Sequence, residues 1–297
     1  MSEGPGQSVS TLLQAMLDAR RADHVDGANW LRRNHKEILA TAREAVRGDD
    51  PRTAATFLTA AWELVPADMD TTWCDSLREC GHDLSATGAE SPELAAVFRR
   101  SAAVYYARGD YRFAEAEGLA ELAVWRELDD PDEHVAALDS LARTFLARDR
   151  LHRAMDCADE RLEVHIEHGR QHDIAADLQH LGRLMLLADR PDTAVDYLTR
   201  ARDAFDELPG VTAQQHARVR MLLGCALWRT GGEAGARREF SNALRVVVDV
   251  DDTTADKIRE LLSTSSGAAL PPSVLEDVED DGGRVAHYGH DEPRPVE

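Results

Sequence analysis

Apolar side chains recur at helical spacing along most of the chain, in segments of about 14–18 residues separated by short turns rich in Gly, Pro and Asp. The alternating β-branched runs typical of strands are missing; the one β-branched cluster, at 246–248, ends a helical segment. The pattern predicts an all-α protein of about 11–13 helices, at about 8–22, 30–47, 51–65, 69–86, 91–107, 110–128, 131–147, 151–168, 171–187, 191–207, 211–229 and 232–248, with a short one near 254–262.

Four of these helix pairs carry the same pattern of large and small residues. Ala114, Ala154 and Ala194 are spaced 40 residues apart, and Ala236 follows 42 residues later. Nine residues before each alanine stands a large side chain, in the order Tyr105, Phe145, Met185 and Leu227. One helix pair cannot bury its apolar face alone, so a repeat of this length predicts a stack of helix pairs, an α-solenoid.

The repeated residues resemble those of tetratricopeptide (TPR) proteins. The resemblance rests on Leu181-Gly182 and Leu223-Gly224, each followed by a large residue, on the turn Gly109-Asp110-Tyr111, and on the anchor alanines. It implies a right-handed α-solenoid, and the 40-residue period is similar to the TPR arrays of actinobacterial regulators of the antibiotic-regulator and signal-transducing NTPase type. One unit departs from the pattern, with Ala142 in the usual glycine slot. Neither a P-loop nor a helix-turn-helix motif occurs, so the resemblance implies the array without its effector domains.

The helical pattern, the TPR resemblance and the composition of the last residues divide the chain into five segments. Residues 1–27 form an N-terminal segment with one helix, 28–90 the degenerate leading helices of the solenoid, and 91–250 the TPR-like repeats. A short capping helix is expected over 251–262. Residues 263–297 are rich in acids, Ser, Gly and Pro, which predicts a disordered tail, either an inert solubilising segment or an arm that contacts a basic partner.

Charge and segment type exclude several classes of protein. The formal net charge is −21, and Lys36 and Lys257 are the only lysines, which disfavours a nucleic-acid groove. No apolar run is long enough to span a membrane, and residues 1–10 lack the pattern of a signal peptide. Four scattered cysteines do not make a disulfide scaffold, so the expected location is the cytoplasm. A homo-oligomer is left open.

The candidate chemistry is sparse. His165 and His168 are spaced to share one helix face, with His172 in the following turn, which makes them candidate metal ligands. A solvated, histidine-rich turn is the simpler interpretation of the same residues. No nucleophile elbow or phosphate loop occurs, so we expect neither an enzyme nor a cofactor. Cys157 and Cys225 lie in apolar repeat slots and are expected in the core.

The TPR resemblance places the first helix of each pair along a concave groove. Four inward slots in each of four repeats give sixteen positions, and nine of them hold the candidate partner-binding residues, including four arginines in an acidic protein: Arg99, Tyr106, Asp139, Arg143, Gln179, Arg183, Arg218, Met221 and Trp228. Guanidinium groups bind carboxylates in a bidentate manner, and Tyr, Trp and Arg dominate peptide interfaces. The competing interpretation is that these arginines pair with carboxylates of neighbouring repeats and only fill the wall.

Three functional hypotheses follow. The first is a non-catalytic adaptor or regulator that binds a peptide or the acidic segment of a protein partner in the arginine-bearing groove. The second is a regulator that senses a small acidic ligand or signalling peptide and controls a separate effector. The third is a metal protein or enzyme built on the histidine cluster.

Overall fold

The computed structural model describes residues 5–22 and 24–270, which form thirteen α-helices and no strand. The described residues fall into two compact units, divided between Val164 and His165 within the eighth helix. The all-α prediction is confirmed. The helices of the first unit are α1 (Pro5–Ala22), α2 (His24–Val46), α3 (Pro51–Glu63), α4 (Thr71–Ser85), α5 (Pro92–Ala107), α6 (Tyr111–Leu128), α7 (Pro131–Leu146) and most of α8 (Leu151–Glu167). Those of the second unit are α9 (Gln171–Leu187), α10 (Pro191–Glu207), α11 (Ala213–Arg229), α12 (Glu233–Val247) and α13 (Asp252–Ser263).

The helices begin at the capping residues and prolines that the sequence places between the helical segments. The Asp50 side chain accepts a hydrogen bond from the Thr53 amide at 3.1 Å and caps α3, while Ser91 caps α5 through the Leu94 amide at 3.1 Å. Both helices have proline in the first turn, where the missing amide hydrogen costs little. The main difference from the predicted boundaries is α2, which begins at His24 instead of 30.

The turn inside each helix pair has one geometry in all four repeats. Its central residue is left-handed, with φ of +77° at Gly109, +56° at Asp149, +55° at Asp189 and +83° at Gly231. The residue that follows donates its amide hydrogen to the carbonyl of the large repeat residue at 2.8–2.9 Å, and Asp110 bonds Tyr105 in this way. This αL closure satisfies carbonyls at the end of the first helix. The repeat therefore fixes the positions of these hydrogen bonds as well as the spacing of the large and small residues.

In the third and fourth repeats, the glycine of the first helix faces a large residue of the second helix. A Cβ added at Gly182 would lie 2.4 Å from Leu198 Cγ, and one added at Gly224 would lie 2.4 Å from Phe240 Cε1. The second repeat has Ala142 and Ala158 in these two slots, and the first has Ala102 and Gly118. The departure at Ala142 therefore comes with a small residue on the facing helix.

The core consists mainly of these repeat residues and the leading tryptophans. All four anchor alanines are buried, as are Trp62 and Trp73. The four cysteines are buried and free, so Cys157 and Cys225 occupy the core as predicted.

The chain after α13 differs from the predicted disorder over its first residues. Residues 264–268 lie against α11 and α12 through hydrogen bonds to Trp228, Glu233 and Arg237. These bonds hold the segment although it buries little apolar surface. The rest of the predicted tail, 271–297, lies outside the described residues.

Candidate functional site

A cavity of about 220 Å³ opens between α5, α6 and α7 in the first unit. Its floor is small and apolar because it is formed by Ala102 and Gly118. In the third and fourth repeats the slot of Gly118 holds a large residue, Leu198 or Phe240, which packs against a glycine of the first helix. Within α5 and α6 no large side chain takes this slot, and Leu141 of α7 packs against Gly118, where an added Cβ would lie 3.2 Å from its Cδ1. The lining consists of Arg99, Ala102, Ala103, Tyr106, Ala114, Gly118, Glu121, Ser140, Arg143 and Thr144.

Arg143 supplies the cavity with a charge that no carboxylate of the described residues pairs with. Its side chain is exposed, and its Nη2 donates a hydrogen bond to Ser140 Oγ at 3.1 Å. Within the part of the chain that the structure describes, Arg143 makes no ion pair. Because guanidinium groups present several donors in a planar fork, Arg143 retains donors for an anionic group.

Arg99, on the other wall, is held by carboxylates of the protein itself. Its Nε lies 2.6 Å from Glu121 Oε1, a second guanidinium nitrogen bonds Glu133, and the group sits 5.8 Å from the centre of the Trp125 ring. Burial acts to lower the pKa of Arg99, but Glu121 and Glu133 outweigh it and raise that pKa above its ordinary value. Arg99 thus fits the competing interpretation, in which groove arginines pair with neighbouring carboxylates.

Tyr106 and Asp139 complete the predicted set in this unit. Tyr106 lines the cavity, is 41% exposed, and packs edge-on against Tyr111 with ring centres 5.2 Å apart. Asp139 forms a short ion pair with Arg161 of α8. The structure therefore brings Arg99, Tyr106 and Arg143 together at one cavity, whereas Asp139 is occupied by its own salt bridge.

The predicted residues of the second unit are mostly covered. Arg183 and Met221 are only 6% and 5% exposed, and Arg218 is half-buried. Gln179 is half-buried, and its Oε1 is a buried atom without a hydrogen-bond partner. Trp228 is 8% exposed and donates its indole hydrogen to the Ala268 carbonyl at 2.9 Å.

The histidine cluster does not assemble as a metal site. His165 is buried, and its Nδ1 lies 2.6 Å from Asp177 Oδ2, whereas His168 and His172 are exposed. The described residues contain no group of three His, Cys, Asp or Glu side chains positioned to hold a metal ion. The helical spacing correctly placed His165 near the end of α8, but its side chain pairs with the buried Asp177 of α9.

Sequence reasoning missed a second buried carboxylate on α6. Glu117 is 1% exposed, accepts a hydrogen bond from Ser101 Oγ at 2.6 Å, and lies 2.7 Å from His82 Nε2. Comparison of the repeats gave only a mixed signal for it, because the same slot holds Cys157, Tyr197 and Glu239 in the later repeats. Glu117 and Glu121 lie one helical turn apart on α6 and bind side chains of α4 and α5, so their hydrogen bonds link α6 to both helices beside the cavity.

Antiparallel helix pairs joined by identical turns, with interlocking small and large residues, define the fold of TPR proteins. No protein-family model matches the sequence, and no curated protein matches it. Several solved structures are similar to the chain. RapI in its apo form is similar with a TM-score of 0.52 and 16% identity over 70% of this chain and 76% of that one. BtubC from P. vanneervenii is similar with a TM-score of 0.50 and 17% identity over 83% of this chain and 92% of that one.

A third similar structure is a signal transduction ATPase with numerous domains (STAND) from Pyrococcus horikoshii that carries a tetratricopeptide-repeat sensor. The TM-score is 0.52 at 12% identity, and the match covers 91% of this chain but 41% of that one. These likenesses establish the TPR-like fold of the chain. None of the described helices is both long and apolar enough to cross a membrane.

Proposed function

We propose that the protein is a non-catalytic interaction module that binds an acidic peptide segment of a protein partner at the cavity between α5, α6 and α7. The observation that carries this proposal is Arg143, an exposed guanidinium without a carboxylate partner among the described residues, at the edge of an apolar floor. A carboxylate of the partner would accept hydrogen bonds from the guanidinium donors that Ser140 leaves to solvent.

The size of the cavity favours a peptide side chain over a large metabolite. Pockets for drug-sized ligands measure about 300–1,000 Å³, whereas this one is about 220 Å³. An Asp or Glu side chain would place its carboxylate on Arg143 and its methylene groups on Ala102 and Ala103. Tyr106 adds an exposed ring beside them, and tyrosine is frequent among residues that dominate binding energy.

A ligand-sensing regulator is the second candidate. The STAND protein of similar fold carries its repeats as a sensor, and the same cavity would admit a small dicarboxylate. In this hypothesis the ligand would bind Arg143 and control a separate effector.

The environment of the thiols argues against a cysteine nucleophile. Burial raises the pKa of all four cysteines, to about 12 for Cys157 and Cys225. A thiol with such a pKa stays protonated at neutral pH and is a poor nucleophile.

Selection of peptides from a random display library against the full-length protein tests the proposal. We expect the recovered peptides to be enriched in Asp and Glu, and changing their acids to Asn and Gln should weaken binding at least tenfold, about 1.4 kcal/mol. Binding would be measured by fluorescence anisotropy at fixed ionic strength. Peptides without acidic enrichment would contradict the proposal.

The sensing alternative predicts a different result. Succinate, malate or citrate at millimolar concentration should then raise the melting temperature of the wild-type protein, because a ligand that binds only the folded state stabilises it. Selected acidic peptides together with unchanged melting in these acids would favour the adaptor.

A further inference from the structure

The cavity between α5, α6 and α7 is mainly apolar, although Arg143 stands at its edge. Ala102, Ala103, Ala114 and Gly118 line it, and none of them carries a side chain larger than a methyl group. Ala114 and Gly118 are buried, whereas Ala103 is exposed. The apolar lining therefore reaches from buried residues of α6 to an exposed residue of α5.

The third repeat fills the corresponding space with a large side chain of its own. Leu198 is fully buried and packs so closely against Gly182 that a Cβ on this glycine would lie 2.4 Å from Leu198 Cγ. In the first repeat the slot of Leu198 belongs to Gly118, so the repeat lacks a side chain of that size. Leu141 of α7 contacts Gly118 and still leaves a cavity of about 220 Å³.

An acidic residue alone covers only part of this lining. Its carboxylate is held by Arg143, whose side chain is exposed, because a carboxylate is costly to bury against apolar groups. The short methylene stem then reaches the alanines nearest the edge. The deeper part of the lining, at Ala114 and Gly118, stays in contact with water unless a second, apolar group of the partner covers it.

We propose that the partner segment carries a large apolar side chain, of the size of leucine or phenylalanine, next to its acidic residue, and that this side chain fills the space beside Ala102 and Gly118. The inference rests on the proposed function, in which Arg143 holds the acidic residue, and it adds a determinant of specificity at the same site. The partner supplies the kind of side chain that Leu198 and Phe240 supply within their own repeats. The recognised feature is one acid paired with one large apolar residue, and not acidic charge alone.

The peptides selected against the full-length protein test this pairing without any change to the protein. We expect Leu, Ile, Met or Phe within two positions of the acid that Arg143 binds. Replacing this apolar residue with alanine should weaken binding at least tenfold in fluorescence anisotropy, because the alanine methyl leaves the space unfilled. Replacing an apolar residue elsewhere in the peptide is the control and should change binding less than threefold.

A double variant of the full-length protein closes the cavity from inside. Ala102→Gly with Gly118→Leu copies the pair that Gly182 and Leu198 form in the third repeat. We call this protein the closed variant. It should melt at the wild-type temperature or above, because the added leucine fills a cavity, and it should bind the peptide at least tenfold more weakly.

A control variant and a double-mutant cycle locate the contact. Ala116→Leu adds the same side chain at an exposed position of α6 outside the cavity and should bind like the wild type. In the closed variant, the alanine change in the peptide should weaken binding less than twofold, because both changes remove the same contact. Exchanging the acid of the peptide for its amide should still weaken the residual binding, because Arg143 is intact.

Two results would overturn this inference and leave the proposed function standing. In one, the parent and alanine peptides bind equally; in the other, the closed variant binds as tightly as the wild type; in both, binding still depends on the acid. Binding that depends on the apolar residue but not on the acid would instead contradict the proposed function. If the closed variant melts below Ala116→Leu, the comparison of the peptides alone decides.

Discussion

Replacing Arg99 with methionine is expected to lower the free energy of unfolding by about 2–4 kcal/mol at pH 7, because it leaves a buried carboxylate without its cation. The side chain of Glu121 is only 2% exposed, and it forms an ion pair with Arg99. Methionine retains most of the apolar contact of the arginine stem. The loss in the free energy of unfolding therefore measures mainly the effect of removing the positive charge. Urea unfolding followed by circular dichroism measures it.

The pH dependence of the free energy of unfolding shows whether Glu121 is the group that causes this loss of stability. Burial raises the pKa of Glu121 above its ordinary value, although Arg99 partly offsets the increase. A raised pKa in the folded state means that the folded protein binds this proton more tightly, so the penalty is present above that pKa and fades as the pH falls through it. In Arg99→Met the loss of stability should therefore shrink between pH 7 and pH 5.

The double variant supplies the control. Arg99→Met with Glu121→Gln should recover more than half of the lost stability, because an amide costs far less to bury than a carboxylate. A loss that is the same at both pH values and is not recovered in the double variant would mean that Arg99 stabilises the fold by packing alone.

Replacing Gly224 with alanine is expected to cost about 1–3 kcal/mol, the usual range for overpacking a core. The added Cβ would lie 2.4 Å from Cε1 of Phe240, which is fully buried and part of the same helix pair. Thermal and urea unfolding measure the change.

Gly235→Ala is the matched control. Gly235 lies within α12, and a Cβ there would meet its nearest atom, Leu227 Cδ1, at 3.4 Å, an ordinary contact. Alanine has a helix propensity about 1 kcal/mol better than glycine, so this variant should be as stable as wild type or more so. Equal destabilisation of the two variants would contradict the close-contact argument.

The helices of the repeats were predictable because local chemistry and packing agree there. Proline, glycine and aspartate mark the joints of α5 to α12, and the spacing of apolar residues fixes their faces. The start of α2 was not predictable in the same way. Gly27 resembles a helix break, but it lies inside α2, where a Cβ would be 3.1 Å from the Ala19 carbonyl oxygen. Glycine is required there by a contact with α1, which the local sequence does not reveal.

The candidate site was predictable in position but not in chemistry. Repeat register placed Arg99, Tyr106 and Arg143 in inward slots of the first helices of two neighbouring repeats, and these three residues line one cavity. Register fixes which face a side chain occupies, but not which partner it finds. The pairing of Arg99 with Glu121 and the cover over Trp228 depend on contacts between residues 22 and 40 positions apart.

Arg143 is the residue on which the proposed function depends, and its charge reversal is the most direct test. Arg143→Glu should weaken binding of the selected acidic peptides at least tenfold, about 1.4 kcal/mol, with an unchanged helical spectrum. The control is Arg112→Glu, which makes the same charge change at an exposed position of α6 outside the cavity and should alter binding less than threefold. Equal weakening by both variants would show a general charge effect, and full binding by Arg143→Glu would contradict the assignment of this cavity as the binding site.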